Sequence, residues 1–184
     1  MILSRPKKKP APLNENGLYD YAVKALGRAM RTEAELRRLM KSRVEPGERG
    51  AAVIEAVVAR LKEQRYLDDQ SFAETYARLR QENEKLGSRG VRRKLSRKGV
   101  PACIANEAVD ARYSDTDEEA LARKHLEQKR IAKPTNEKET ARVMRRLVAA
   151  GFTTSVIYKI LRQWDVPDEA LSALESVEDE VHED

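Results

Sequence analysis

Basic side chains are concentrated in one short segment near the middle of the sequence. The range 85–106 holds seven basic residues and no acidic one. On a helix, at about 100° per residue, Val91 and Leu95 point away from the arginines and can dock the helix. Guanidinium groups donate paired hydrogen bonds to phosphates and carboxylates, so this segment is expected to bind a polyanion. The arginines that share the outward face are Arg89, Arg92, Arg93 and Arg97.

Two further predicted helices carry similar clusters, and together the three clusters predict a basic face. If the helices stack regularly, this face forms one continuous strip; three separately solvated surfaces are the other interpretation. Aromatic residues are not interleaved with the basic ones, which favours backbone phosphates or acidic side chains over stacked bases. The predicted basic face consists of Arg37, Arg38, Lys41, Arg89, Arg92, Arg93, Lys94, Arg97, Lys98, Arg142, Arg145 and Arg146.

Residues that could carry out catalysis or hold a metal are few. The two histidines and the single Cys103 lack metal-ligand spacing, so no metal site and no internal disulfide are expected. His125, between charged neighbours, is interpreted as a solvated helix residue. Asp68 and Asp69 could be catalytic carboxylates, but capping of a following helix explains them better. The sequence therefore predicts neither a catalytic residue nor a cofactor nor a small-molecule substrate, and the protein is not expected to be an enzyme.

Charge is unevenly distributed along the 184 residues. The last twenty contain nine acidic residues and no lysine or arginine, whereas residues 1–164 carry a formal net charge of +14. A basic body of this kind attracts nucleic acid or acidic protein surfaces. The sequence has no run of apolar residues long enough for a membrane span and no apolar segment typical of a secretory signal. A cytoplasmic location without membrane contact is expected.

Helical periodicity dominates the chain, and no alternating strand pattern is present. The apolar and glycine positions of 91–104 recur at the same offsets in 143–156, which is typical of a repeat. The prediction is an all-α, solenoid-like arrangement of three tandem three-helix repeats, each helix-turn-helix-like. Gly87 and Gly90 are predicted to break a helix, although backbone amides of this turn could also bind a phosphate. The predicted boundaries are a flexible basic arm at 1–16, repeats at 17–67, 68–114 and 115–166, and an acidic, disordered tail at 167–184.

Four motifs resemble the RecX family of RecA regulators. Residues 66–73 match a YLDDxxFA signature, and 87–100 match the pattern G-S-x-x-V-x-x-x-L-x-x-K-G-V. Residues 35–38 follow a threonine cap, and 145–152 resemble the last repeat of the family. Arg65 is a departure, because the family usually has glycine before the tyrosine.

The resemblance implies an all-α protein of three tandem three-helix repeats in an elongated, curved arrangement. It also implies a cytosolic, non-enzymatic protein without a cofactor. Members of the family bind the RecA–DNA filament in its groove and reduce its ATP hydrolysis, strand exchange and repressor co-cleavage. The resemblance implies that RecA is the main partner. The basic strip itself is expected to bind DNA weakly, through contacts to the backbone. The separated units favour a monomer.

Two other functions fit the same residues. One is a non-sequence-specific DNA-binding helical repeat protein, since a basic second helix can lie against phosphates. The other is a helical scaffold for a different protein partner, contacted by the acidic tail.

Overall fold

The computed structural model describes residues 11–164 and Val166. The predicted acidic tail and most of the predicted basic arm lie outside these residues. Within the described part the chain forms nine α-helices and no strand. None of these helices is both long and apolar enough to cross a membrane. The helices are α1 (Glu15–Leu26), α2 (Glu33–Lys41), α3 (Glu48–Glu63), α4 (Asp69–Glu84), α5 (Ser88–Arg97), α6 (Ala102–Tyr113), α7 (Glu118–Gln128), α8 (Glu137–Ala150) and α9 (Thr154–Gln163).

The described residues divide into two compact units, and the division falls within α4. The first unit contains the described residues up to Phe72 together with Lys98–Pro101. Its helices α1, α2 and α3 pack on one another around a core of apolar side chains that exclude water. The fully buried members of this core are Leu18, Ala22, Leu36, Met40, Val57 and Leu61.

Local sequence explains the ends of the helices in the first unit. Helix α2 begins with a capping box: the Thr32 hydroxyl accepts from Glu35 N, and the Glu35 carboxylate accepts from Thr32 N. Helix α1 ends at Leu26, with Gly27 as its C-cap. The backbone N–H of Gly27 donates to Val23 O at 2.9 Å and closes the last turn of the helix.

Among the residues that the structure describes, three that are not glycine adopt the left-handed conformation just after a helix ends. They are Arg65, Lys85 and Arg130, with φ of 57°, 52° and 51°. After α3, Tyr66 N donates to Leu61 O at 2.9 Å, which closes a Schellman turn around Arg65. This conformation accounts for the glycine that the RecX pattern has at the position of Arg65.

The second unit contains Ala73–Arg97 and the described residues from Ala102 onward. Helix α5 packs on α6 and α8, and α9 packs on both α7 and α8. The side chains at the centre of this unit are fully or almost fully buried, and they include Val91, Leu95, Val109, Met144, Leu147, Ile157, Ile160 and Leu161. The all-α fold class predicted from the periodicity is therefore confirmed.

His125 corrects one prediction, because it is buried rather than solvated. It lies one helical turn after Leu121, on the core side of α7. This position on the helix determines its burial more than the charged residues next to it in the sequence do. Its Nδ1 is 2.9 Å from the carbonyl oxygen of Glu84, so Nδ1 carries the proton of this hydrogen bond. Its ring meets the Phe152 ring edge-on.

Gly90 corrects a second prediction, because it lies inside the first turn of α5 and does not break the helix. A methyl group at Gly90 would lie 2.3 Å from the carbonyl oxygen of Ala150. Gly87 precedes the helix, and its N–H donates to the same carbonyl at 3.1 Å. The glycines of this turn therefore allow the start of α5 to contact the end of α8, and the Gly87 amide is engaged within the protein.

Candidate polyanion-binding surface

Helix α5 presents its basic side chains on the face opposite its buried residues. Val91 and Leu95 are fully buried, whereas Arg89, Arg93 and Arg97 are exposed. This arrangement follows from the sequence, because the apolar pair and the arginines are out of phase at helical periodicity. The helix thus docks through its apolar side and leaves a row of guanidinium groups at the surface.

Helix α8 carries the second basic row of the same unit. Val143 and Leu147 are buried, whereas the three arginines of the helix are exposed. Arg93 of α5 donates to the carbonyl oxygen of Ala149 at 2.7 Å, and this bond joins the two helices next to their basic rows. The exposed arginines of α8 are Arg142, Arg145 and Arg146.

The third cluster belongs to the first unit. Leu36 and Met40 of α2 are fully buried, and Arg38 and Lys41 are exposed on the other side of the helix. Arg37 is different, because it is bound to two carboxylates of its own unit. Its Nε and Nη2 contact the Glu55 carboxylate at 2.9 and 2.8 Å.

Arg37 therefore has an internal role. Its hydrogen bond to Glu55 is the main cause that raises the pKa of Arg37, and an ion pair to Glu33 acts in the same direction. The same bond lowers the pKa of Glu55. The Glu55 contact joins α2 to α3, and the Glu33 contact lies within α2, so the guanidinium group is already occupied.

Four other predicted residues also have partners inside the protein. Arg92 pairs with Asp110, Lys94 with Glu84 at 2.9 Å and Lys98 with Glu35 at 2.7 Å, and Arg93 makes the contact to Ala149. Burial of Glu84 raises its pKa, but hydrogen bonds from Lys94 and Arg80 outweigh it, and the net pKa is lowered. We call these residues the paired basic set: Arg37, Arg92, Arg93, Lys94 and Lys98.

The side chains of the remaining predicted residues are exposed and make no hydrogen bond or ion pair with any residue that the structure describes. Their charges are available to an external partner, because no internal contact must be broken first. Binding them costs side-chain conformational entropy. Those on α5 and α8 lie in one unit on neighbouring helices, and those on α2 lie in the other unit. We call them the exposed basic set: Arg38, Lys41, Arg89, Arg97, Arg142, Arg145 and Arg146.

Comparison with known proteins identifies the family. Residues 68–109 match the family model described as "RecX, second three-helix domain". The regulatory protein RecX of Thermobifida fusca is 34% identical over 145 residues, which cover 77% of this chain and 75% of that protein. The chain belongs to the RecX family. The RecX protein of Myxococcus xanthus is 29% identical over 170 residues, covering 85% of this chain and 90% of its own length.

Other RecX relatives are longer than this chain. The RecX protein of Geobacillus thermodenitrificans is 32% identical over 150 residues, and the match covers 78% of this chain but only 52% of that protein. The chain thus spans about half the length of the Geobacillus relatives.

Solved structures support the same fold. One described as a regulatory protein RecX superposes with a TM-score of 0.67 at 22% identity, covering 81% of this chain and 71% of its own. The RecX structure from Lactobacillus salivarius gives 0.65 at 21% identity, with coverage of 82% and 96%.

Of the two aspartates of the RecX-like YLDD motif, Asp68 caps the following helix, as the sequence predicted, whereas Asp69 corrects the prediction because it caps an earlier helix. Asp68 accepts from the backbone N–H groups of Gln70 and Ser71 at 2.9 and 3.0 Å, which caps its own helix α4. Asp69 accepts from Glu33 N at 2.8 Å and so caps α2 instead. Burial raises the pKa of Asp69. Among the described residues, no cluster of histidine, cysteine, aspartate or glutamate could hold a metal ion.

A cavity beside the YLDD motif was not predicted. It has a volume of about 180 Å³ and lies between the end of α1 and the start of α4. Met30 and Tyr66 line it, and each remains 56% exposed. The sequence carried no signal for this site, because the exposure of an apolar residue is decided by what the fold places over it. The cavity lining also includes Leu26, Arg31, Arg65 and Phe72.

Proposed function

We propose that this RecX-family chain binds the RecA–DNA filament through its exposed basic set and reduces ATP hydrolysis, strand exchange and co-protease activity. This proposal rests on the observation that the exposed basic set makes no ion pair within the described residues. A nucleoprotein filament offers both phosphates and carboxylates to such cations. Family membership supports RecA as the regulated protein.

Several cations must act together for this function. A single solvent-exposed ion pair contributes about 0–1 kcal/mol, because water and salt screen it and side-chain order is lost. Seven such side chains provide enough contacts for useful affinity when they meet a repeating polyanion. The protein is thus expected to act by occupying a surface, without catalysis, cofactor or small-molecule substrate, as a cytoplasmic monomer.

We also propose the three-repeat organisation with boundaries 17–67, 68–114 and 115–166. One contact that recurs supports it. In the first unit, the first backbone N–H of α2 donates from Glu33 to the Asp69 carboxylate at 2.8 Å. In the second unit, the first N–H of α5 donates from Ser88 to the Glu118 carboxylate at 2.9 Å. In each case an acidic residue at the start of one repeat caps the middle helix of the preceding repeat.

The test is DNA-dependent ATP hydrolysis by RecA from the same cell, titrated with this protein at fixed salt. Naked-DNA binding is measured in the same buffer. Strong inhibition at well below one protein per RecA monomer is expected if the protein acts on the filament. Absence of inhibition, or inhibition only when the DNA itself is saturated, would contradict the proposal.

Direct binding to naked DNA is the second candidate function. It is favoured by the adjoining rows of α5 and α8, which could follow a phosphate backbone. It predicts tight duplex binding whose affinity falls steeply with salt, because each neutralised phosphate releases a counterion. Weak binding to naked duplex beside tight binding to the RecA-coated filament would reject it.

A further inference from the structure

Exposed apolar side chains are rare on the described surface, and two of them meet at one cavity. Large hydrophobic residues that remain exposed are Met30, Tyr66 and Leu79. Met30 and Tyr66 both line the cavity of about 180 Å³ introduced above, which we call the Met30–Tyr66 cavity. Clustered exposed apolar residues mark interaction sites more often than scattered ones do. The clustering therefore makes this cavity, and not Leu79, the candidate interface.

The size of the cavity limits what it can hold. An engineered cavity of about 150 Å³ binds a benzene molecule, so about 180 Å³ accommodates one leucine-sized or aromatic side chain. The buried ring of Phe72 and the partly buried Leu26 form apolar walls. The ligand is thus expected to insert a single bulky apolar side chain.

Arginine side chains give the cavity its charge. Arg31 and Arg65 line it, and their side chains make no hydrogen bond or ion pair with the described residues. The Nε atom of Arg31 is buried and has no hydrogen-bond partner there. The terminal nitrogens of a guanidinium group can donate paired hydrogen bonds to a carboxylate supplied by a ligand. The one acidic side chain in the lining, Asp68, already accepts two backbone hydrogen bonds.

Apolar walls beside unpaired guanidinium groups are complementary to a protein segment that is both apolar and acidic. We infer that the Met30–Tyr66 cavity docks an acidic segment of a partner protein, which inserts one bulky apolar side chain and places a carboxylate against Arg31. Nucleic acid fits less well, because it has no flexible apolar side chain to insert. The inference rests on the proposed function, since it assigns to this cavity the contact with the protein component of the filament.

The variants Met30→Ser, Tyr66→Ser and Arg31→Gln test the inference, with Leu79→Ser as the matched control. Leu79 is 39% exposed and lies outside the cavity. Because Met30 and Tyr66 are more than half exposed, their replacement is expected to leave the fold intact, which circular dichroism checks. The probes are RecA filaments assembled on single-stranded DNA and, separately, the same DNA without RecA.

Each cavity variant is expected to bind the RecA filament roughly tenfold more weakly, as is common for residues at the centre of an interface. Leu79→Ser and all naked-DNA affinities should stay unchanged. If the wild-type protein does not bind the filament, the proposed function itself fails. If the wild type binds and the cavity variants bind equally well, only the inference about the cavity is wrong.

Two other occupants of the Met30–Tyr66 cavity would give different binding results, and either result would overturn the inference. Equal losses for naked DNA and for the filament would indicate that a base stacks on Tyr66. The acidic residues 165–184 of this chain are the other possibility. Deleting them would then tighten filament binding by the wild type but not by the Met30→Ser and Tyr66→Ser variants.

Discussion

Gly90 and Gly151 contact each other through their backbones: a methyl group on Gly151 would lie 1.8 Å from the backbone nitrogen of Gly90. Gly151 ends α8 in the left-handed conformation, with φ of 92°. Gly90 lies in the first turn of α5, where any side chain would meet the end of α8. This contact holds the basic rows of the two helices next to each other.

The close contact predicts that Gly90→Ala destabilises the protein. Alanine is normally better than glycine in a helix by about 1 kcal/mol. At Gly90, however, the methyl group would lie 2.3 Å from the Ala150 carbonyl oxygen, and backbone must move. We expect a loss of about 2 kcal/mol or more in the free energy of unfolding, measured by urea denaturation.

Gly27→Ala is the matched control. Gly27 has φ of −64°, and a methyl group there would find its nearest neighbour at an ordinary 3.5 Å. This variant should be neutral or more stable. Equal stability of Gly90→Ala and the wild type would show that the α5–α8 contact is looser than described.

Arg130→Gly is expected to stabilise the protein by up to about 1 kcal/mol. Arg130 has φ of 51°, a conformation that costs a non-glycine residue about 1–2 kcal/mol. Greater freedom of glycine in the unfolded chain offsets part of the gain. Thermal unfolding measures the change, and Lys129→Gly, at φ of −86°, should destabilise. A lower melting temperature for Arg130→Gly would contradict the strain argument.

The lowered pKa of Glu84 predicts that part of the folding stability is lost in acid. Its folded-state pKa lies below its ordinary value, because Lys94 and Arg80 outweigh burial. A lowered carboxyl pKa contributes stability that is complete above the unfolded-state pKa and is lost as pH falls through the folded-state pKa. We expect the wild type to lose this contribution below about pH 4.5.

Unfolding free energies measured from pH 7 to pH 3 check this expectation. Glu84→Gln should be less stable than the wild type at pH 7, and the difference should shrink as the pH falls. Glu107→Gln changes an exposed residue that makes no ion pair within the described part of the chain, and it serves as control. A difference between Glu84→Gln and the wild type that is constant with pH would contradict the account.

Neighbouring arginines on α2 should behave differently. Arg37 is bound to Glu55 and Glu33, whereas Arg38 is exposed and unpaired among the described residues. Arg37→Ala should lower the free energy of unfolding by about 1 kcal/mol, since a bidentate contact is lost. Arg38→Ala should leave stability unchanged in the same urea experiment. Equal stabilities for the two variants would show that the Glu55 contact contributes little.

Local sequence patterns were enough to predict the helices and to predict which face of each helix is buried. The capping box of Thr32 and Glu35 and the apolar pair Val91 and Leu95 are encoded within a few residues. The pairing of Arg37 with Glu55 was not predictable, because it depends on how α2 and α3 pack. Burial of His125 was missed because its charged neighbours along the chain were weighed above its helical position next to Leu121.

The predicted basic face illustrates the same limit of prediction from sequence. Sequence alone identified the clusters, but it could not separate cations that hold the protein together from cations that remain available. That separation needs the positions of acidic residues on other helices, as the pairs Arg92–Asp110 and Lys94–Glu84 illustrate. The Met30–Tyr66 cavity was missed for a related reason, because exposure is a property of the whole fold.

The central claim, that the exposed basic set acts on the RecA filament, is tested most directly by a charge-matched pair of variants. One replaces Arg89, Arg97, Arg142 and Arg145 with serine. The control replaces Lys24, Arg28, Arg49 and Lys124, which are exposed and unpaired among the described residues but lie outside the predicted face. Both variants lose the same net charge, and circular dichroism verifies that both are folded.

The measurement is the concentration of each variant that halves DNA-dependent ATP hydrolysis by RecA at fixed salt. We expect the variant of the basic face to need at least about ten times more protein than the wild type, since four weak contacts together exceed about 1.4 kcal/mol. The control should stay close to the wild type. Undiminished inhibition by the folded variant of the basic face, or an equal loss in both variants, would contradict the claim.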